Sequence, residues 1–259
     1  MKFLISILLF NSMCFSVSAQ DVIIEKRIFN LDYDNIIYKR NNVFRYSYNY
    51  ELNGESFKMA LSSDDGELKW VKENTITENK YLILNEITWE VIKPKLFSRT
   101  NRFQSELLFT YLFNKKDFSL REWTGLVENK DNIWIHPPRA NLFNVLELSP
   151  FPFVKLPLSI DKTWFNAIGI TKKWHKELKF EVDWEGLFYQ KAEYRVIDHK
   201  KITIQAGKID CWVIQAKAES KLGKTTSLFY FNEKYGFVKL ANENFDGSNL
   251  TFELIEFPY

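Results

Sequence analysis

The stretch FRYSYNYELNG, residues 44–54, decides the fold class of this chain. Apolar and polar side chains alternate from Phe44 to Leu52, and Asn53-Gly54 follows directly. Alternation with a period of two is typical of a β-strand with one buried face. Asn-Gly tolerates the positive φ angles of a tight hairpin turn. We therefore predict a half-buried strand that turns back into a second strand.

The same pattern recurs along the rest of the chain. A turn at Asp65-Gly66 separates the second strand from a third, and 104–113 fits either a central strand or a buried helix. Further strands are predicted at 81–92, 184–197, 201–204, 208–218, 225–231, 237–241 and 250–257. Short strands separated by turns indicate an all-β, mainly antiparallel fold. We expect a curved meander sheet that forms a half-barrel, barrel or sandwich, with at most one or two short helices.

Composition supports a packed globular chain of 259 residues. It contains 23 Phe, 12 Tyr and 8 Trp, and 46% of its residues are hydrophobic. The 35 basic and 33 acidic residues nearly cancel, which argues against a nucleic-acid partner and against a disordered linker. A chain of this length buries enough surface to fold without a disulfide or a metal.

The N-terminus has the three-part pattern of a secretory signal peptide. A positive start at Lys2 precedes the apolar run FLISILLF, and Val17-Ser18-Ala19 offers a cleavage site. The run is too short to span a bilayer. We predict a signal peptide at 1–19 and a single β-rich domain at 20–259, exported to the periplasm or outer envelope of a Gram-negative bacterium. Association with the membrane is at most peripheral.

Five of the 7 prolines, at positions 137, 138, 150, 152 and 157, cluster in one segment. Proline does not fit a central strand, so 136–158 is predicted to be a connection between two β-rich halves. We expect a short helix across 139–148 that presents Leu142, Phe143 and Leu146.

Motifs for catalysis and for metal binding are missing from the sequence. None of the 3 histidines has a second metal ligand at a recognisable spacing, and no nucleophile motif surrounds Cys211. We predict no catalytic residue, no metal site and no cofactor, and we interpret Cys211 as a small buried hydrophobic residue. The basic and aromatic patch at 172–176 is a candidate for an anionic glycan or lipid headgroup, or a solvent-facing turn. Asp183 and Glu185 are interpreted as solvated acids.

The candidate binding residues are Trp134, His136 and Arg139, which flank Pro137-Pro138. Two prolines stiffen the backbone, so a cation and two rings are held in fixed positions, as in many binding loops. In the alternative interpretation, the prolines simply end a strand and Arg139 caps neighbouring carbonyl groups.

The closing strands carry a resemblance to a known class of proteins. Residues 202–214 (ITIQAGKIDCWVI), 227–231 (SLFYF) and 235–240 (YGFVKL) resemble the last strands of uncharacterised exported β-domains from Gram-negative envelopes. Such domains are related in shape to lipoprotein-carrier half-barrels, in which a curved antiparallel sheet wraps a small apolar plug. The resemblance covers about 200–240, with support from the hairpin at 48–61, and implies no catalytic residue.

Three functions remain open from the sequence. The first is a non-catalytic envelope protein that binds an apolar or lipid-like ligand inside a curved sheet, as the aromatic excess indicates. The second is a structural or adaptor subunit that binds an envelope protein partner through exposed aromatic residues and the proline segment. The third is an enzyme of unrecognised type. The sequence leaves the oligomeric state open.

Overall fold

The computed structural model describes residues 35–77, 80–92, 104–114, 119–171 and 184–258. These residues form one antiparallel sheet of 14 strands that is nearly closed into a barrel. The prediction of an all-β, antiparallel fold is confirmed. The predicted signal peptide, the patch at 172–176 and Asp183 lie outside the described residues.

The strands are numbered in chain order. They are β1 Val43–Leu52, β2 Glu55–Ser62, β3 Leu68–Lys72, β4 Tyr81–Ile92, β5 Ser105–Phe113, β6 Ser119–Glu128, β7 Asn132–Ile135, β8 Phe153–Lys155, β9 Thr163–Thr171, β10 Leu187–Ile204, β11 Gly207–Ser220, β12 Gly223–Asn232, β13 Gly236–Glu243 and β14 Asn249–Glu256. Two 3₁₀ helices are described, Glu73–Thr75 and Asn141–Leu148, and the second is called the plug helix below.

The order of the strands places the first and last described strands, β1 and β14, side by side in the middle of the sheet. The order is β8-β7-β6-β5-β4-β2-β1-β14-β13-β12-β11-β10-β9, with β3 attached to β2. The sheet therefore ends in β8 and β9, which are neighbours in sequence. Side chains join these ends, since the ring of Phe153 on β8 lies 6.1 Å from that of Trp164 and 5.6 Å from that of Tyr194.

Strand β1 has the alternation that its sequence predicts. Phe44, Tyr46, Tyr48 and Tyr50 are buried on one face. The buried hydroxyl groups bond to the backbone of other strands, because an unpaired polar group inside the barrel is costly. Tyr46 Oη donates to the Phe237 carbonyl at 2.6 Å, and Tyr48 Oη donates to a carbonyl of β4 at 3.0 Å.

Two local predictions need correction or refinement. The sequence predicted separate strands at 184–197 and 201–204, but β10 is one strand of 18 residues. A bulge at Ile197 shifts the register by one residue, and the polar run Asp198–Lys200 that suggested a turn pairs regularly with β11, so the strand continues to Ile204. At 104–113, where the sequence left a strand or a helix open, the structure has the strand β5.

Four strands, β6 to β9, were not predicted. β7 has no alternation because all four of its residues are buried. β6 carries acidic residues on its inward face, so its polar pattern is not typical of a core strand. β9 is interrupted by Asn166, which is also buried.

The segment 136–152 lies inside the barrel and contains the plug helix. The predicted short helix is present at Asn141–Leu148, as a 3₁₀ helix. Phe143 is fully buried, with ring centroids 5.6 Å from Tyr48, 5.8 Å from Trp70, 5.8 Å from Tyr111 and 5.5 Å from Phe252. Four different strands thus meet on one ring, and the aromatic faces of the sheet pack against the chain's own plug helix.

The prediction for Cys211 is confirmed, since its side chain is fully buried on β11. Burial raises the pKa of the thiol to about 12, so the group stays protonated and unreactive at neutral pH.

Replacement of Phe143 by Ala should remove the ring at which these four strands meet. We expect the free energy of unfolding to fall by about 3–5 kcal/mol, because a large apolar cavity is left in a closed interior. Urea unfolding followed by fluorescence measures this change. Phe165→Ala is the matched control, since Phe165 is 65% exposed and its loss should change stability by less than about 0.5 kcal/mol. Equal losses in the two variants would contradict the plug's role.

Candidate functional site

The three candidate binding residues lie together where the chain leaves β7 and enters the barrel. Trp134 is on β7, and the His136 N–H still donates to the Gly125 carbonyl at 3.0 Å. Pro137 and Pro138 have no N–H to donate, so strand pairing ends there. Beyond them the chain turns inward and brings Arg139 back to His136, with Nη1 3.0 Å from Nε2.

A buried glutamate, Glu122 on β6, organises this cluster. Its carboxylate accepts the Tyr111 hydroxyl at 2.6 Å and the Ala140 N–H at 3.0 Å. It also accepts the Arg139 N–H at 3.2 Å and lies 3.3 Å from Arg139 Nε. The side chain is only 8% exposed. One carboxylate therefore holds both the backbone and the side chain at the start of the plug helix.

A second buried glutamate, Glu147, comes from the last turn of the plug helix. Its Oε1 lies 3.4 Å from Arg139 Nη1 and 3.3 Å from His136 Nε2. The Arg139 guanidinium thus bridges Glu122 on the sheet and Glu147 on the plug helix. Breaking a buried ion pair by removing one partner is strongly destabilising, so this bridge fixes the plug helix against β6.

His136 is neutral in this cluster. Burial, together with the nearby Arg139 guanidinium, lowers the pKa of the imidazole to about 3. Nδ1–H donates to the Pro137 carbonyl at 2.9 Å, which leaves Nε2 to accept from Arg139 Nη1. Arg139 therefore supplies the positive charge that faces Glu147, and the neutral imidazole links the Pro137 carbonyl to the guanidinium through hydrogen bonds.

Rings cover the cluster on one side. The His136 ring lies 4.6 Å from that of Phe151 and 6.1 Å from that of Trp134. Trp134 Nε1 is buried and has no hydrogen-bond partner among the described residues. Trp134, His136 and Arg139 are thus brought together as predicted from their spacing, but in the described state their contacts are with the plug and with the sheet.

The far end of the plug helix is held by a second set of polar contacts. The Leu148 carbonyl accepts from Gln190 Nε2 and, at 3.4 Å, from Thr225 Oγ1. Ser149 Oγ donates to Asn244 Oδ1 at 2.8 Å. These partners lie on β10 and β12 and just after β13, on the opposite part of the sheet from Glu122.

Sequence reasoning missed Glu122, Glu147 and the polar contacts at Leu148. One usable signal exists, because Gln190 and Thr225 occupy buried positions in the inward phase of their strands. A polar residue in such a phase predicts a buried partner. Glu122 follows the same rule on β6, but that strand was not recognised.

The described residues contain no group of three or more His, Cys, Asp or Glu side chains positioned to hold a metal ion. No helix in the described ranges has the length and apolar character needed to cross a membrane.

Comparison with known proteins gives three solved structures with a similar fold. A candidate lipoprotein from Parabacteroides distasonis is 10% identical, with 85% of this chain and 96% of that chain covered and a TM-score of 0.41. A candidate exported protein with YmcC-like fold from Bacteroides fragilis is 10% identical, with 85% and 97% covered and a TM-score of 0.38. The hypothetical lipoprotein YmcC from Escherichia coli is 10% identical, with 82% and 84% covered and a TM-score of 0.33.

No protein-family model and no curated protein sequence matches the chain.

The neutral state of His136 makes stability depend on pH. The unfolded chain binds a proton near the ordinary pKa of 6.5, whereas the folded chain binds it only near 3. The free energy of unfolding is therefore unaffected by protonation of His136 above about pH 6.5. It falls as the pH decreases from 6.5 towards 3, by up to about 1.4 kcal/mol per pH unit, because the unfolded chain takes up the proton first.

Urea unfolding at pH 7, 6 and 5 measures this slope for wild type and for His136→Gln. We expect the free energy of unfolding of the variant to fall less steeply with decreasing pH, by up to the contribution of one proton, about 1.4 kcal/mol per pH unit. A wild-type slope in His136→Gln would show that folding leaves the proton affinity of this imidazole unchanged, which would contradict its neutral state in the cluster.

Proposed function

We propose that this protein is an exported, non-catalytic envelope β-domain that binds an apolar, lipid-like chain inside its barrel. In the ligand-free form, the plug helix occupies the binding site. One observation carries the proposal: an interior lined by aromatic side chains is filled by a 3₁₀ helix of 8 residues that pairs with no described strand. Export is supported by the signal-peptide pattern of the first 19 residues.

The aromatic lining is suited to a flexible apolar chain. Tyr48, Trp70, Tyr111 and Phe252 surround the ring of Phe143 from four strands, and Tyr50 stacks on Trp70 at 3.9 Å. The Tyr48 hydroxyl is already bonded to the backbone, so it demands no partner from the ligand. An acyl chain that replaced Phe143 would meet rings and would leave no polar group of this lining unpaired.

The plug helix is held in a way that permits exchange. Its 3₁₀ hydrogen bonds have poorer geometry than those of an α-helix, and runs longer than four residues are uncommon. Neither end has a side-chain cap. Its polar attachment to the sheet includes the Arg139–Glu122 contacts at one end and the Leu148 and Ser149 contacts at the other. Displacement breaks these contacts and the ring contacts of Phe143, but no strand pairing.

Trp134, His136 and Arg139 have a defined part in this proposal. They form the entry side of the plug, where Arg139 holds Glu122 and Glu147 while the site is closed. When the plug helix leaves, the guanidinium and the unpartnered Trp134 Nε1 are the groups next to the vacated space. A cation and a ring donor suit the polar head of a lipid-like molecule.

The adaptor function is the second candidate, and one observation favours it. Phe165, Leu187 and Tyr189 are exposed on the outer face of β9 and β10. Within the proline segment, Pro137, Pro138, Pro150 and Pro152 are buried and Pro157 is exposed, so this segment offers little contact surface in the described state.

Native mass spectrometry of residues 20–259 purified from cells, followed by lipid extraction, tests ligand binding directly. We expect stoichiometric apolar adducts, and their absence across preparations would contradict the proposal. A large partner captured by gentle crosslinking of a lipid-free protein would favour the adaptor function.

Weakening the contacts of the plug should strengthen ligand binding. A closed plug reduces the apparent affinity by the fraction of molecules that are open. If Glu122→Gln weakens closure by about 1.4 kcal/mol, the apparent affinity for the fluorescent probe 1-N-phenylnaphthylamine should rise about tenfold. Ser149→Ala, at the other end, should act in the same direction.

Phe165→Ser on the outer surface is the control and should bind the probe like wild type. Circular dichroism establishes that each variant keeps its strands. Unchanged or weaker probe binding in both plug variants, with the fold intact, would mean that the interior does not open to ligands.

A further inference from the structure

A cleft of about 440 Å³ crosses the outer face of four neighbouring strands, β11 to β14. Its volume is within the range of about 300–1,000 Å³ that small-molecule sites have. Two outward side chains from each strand line the cleft, and strand pairing arranges them in two rows. The first row is Gln215, Leu228, Ala241 and Thr251, each opposite the next. Leu228 and Ala241 give this row an apolar floor between two polar ends.

The second row carries the charges of the cleft. Lys217 lies opposite Thr226, which in turn lies opposite Glu243, and Asn249 follows on β14. The two charged residues are therefore separated by one strand, with their Cα atoms about 9–10 Å apart. Both side chains are exposed, and within the described part of the chain neither has an ion pair. The row thus holds one positive and one negative group on either side of Thr226.

The rows on either side of the cleft are different, because opposite charges face each other there and pair. Lys224 Nζ lies 3.5 Å from Glu219 Oε1 across β12 and β11, and Lys239 Nζ lies 3.2 Å from Glu253 Oε2 across β13 and β14. Direct pairing across strands is the usual way in which opposite charges stabilise a sheet. In the cleft the two charges are one strand apart and unpaired, so both can bind a ligand.

The lining selects for a ligand that carries one charge of each sign. A purely anionic ligand would meet Glu243, a purely cationic one would meet Lys217, and an apolar chain would desolvate both. Gln215 and Asn249 each offer an amide donor and an amide acceptor, which matches the hydrogen-bonding pattern of a peptide group. An extended peptide advances about 3.3–3.6 Å per residue, so three residues span the distance between the two charges.

We propose that this cleft binds a short peptide with free termini, two or three residues long, whose carboxylate pairs with Lys217 and whose ammonium group pairs with Glu243. Gln215 and Asn249 bind its peptide groups, and its side chains lie on Leu228 and Ala241. The site is on the outer face of the sheet, so it does not depend on whether the interior binds a lipid-like chain.

An NMR titration of residues 20–259 with trialanine tests the site. We expect the backbone amide signals of Thr226 and Asn249 to shift in a saturable manner. The same tripeptide with an acetylated N-terminus and an amidated C-terminus carries neither charge. It should bind about 25-fold more weakly, because each exposed ion pair contributes up to about fivefold. The absence of a saturable shift with trialanine, or equal binding of the free and the blocked tripeptide, would overturn the proposal.

Exchange of the two charges tests the assignment of the ends. Lys217→Glu places a carboxylate at both ends and should abolish the shift, and the added change Glu243→Lys should restore it, with the peptide bound in the reverse direction. Lys224→Met is the matched control, because Lys224 is a lysine on β12 beside the cleft that already pairs with Glu219, and it should bind like wild type. Wild-type binding by Lys217→Glu would contradict the site.

Two further probes separate this site from other ligands. Maltotriose, an uncharged saccharide of similar length, should cause no shift at Thr226 and Asn249. A shift with maltotriose but not with trialanine would assign the cleft to a saccharide and overturn the proposal. Lys217→Glu should bind 1-N-phenylnaphthylamine like wild type, because that probe tests the interior of the barrel.

Discussion

The width of the barrel is the constraint on which the rest of this structure depends. A sheet of 14 strands encloses more space than the side chains of its own strands fill. The chain fills it with the plug helix, and that choice brings backbone polar groups into an apolar interior. Each then needs a buried partner. Glu122 serves the start of the plug helix, and Gln190 and Thr225 serve its end. The burial of these three polar residues of the sheet follows from this need.

The plug helix makes specific polar contacts at its two ends and less specific apolar contacts in its middle. At the ends, carboxylates and amides recognise particular N–H and C=O groups, which fixes the position of the segment to a single arrangement. In the middle, Phe143 makes ring contacts that many apolar groups of similar volume can replace. Burial, together with the Arg139 guanidinium that faces both glutamates, keeps His136 neutral, so the cluster avoids a second buried cation.

Sequence reasoning recovers the parts of the fold that follow from local pattern. Period-two alternation locates β1 and β4, and proline spacing locates the plug helix, because these signals depend on neighbours in sequence. It divides β10 because three consecutive polar residues, 198–200, have the composition of a turn although they pair regularly with β11. It misses β7 because both faces are buried. Within the site, Trp134, His136 and Arg139 are found together since they flank one rigid turn, whereas their partner Glu122 is set by a strand register that only tertiary structure defines.

The pairing of β1 with β14 governs how this chain is assembled. A polypeptide that leaves a ribosome or a secretion channel N-terminus first delivers β1 early and β14 last. Until Glu256 has emerged, one edge of the tyrosine-rich β1 has no partner, and the sheet has a gap at its centre. Contacts of such long sequence separation form slowly, and exposed apolar edges aggregate in the meantime. Pairing of β1 with β14 is therefore a late step in folding, and it closes the sheet between the first and the last described strand.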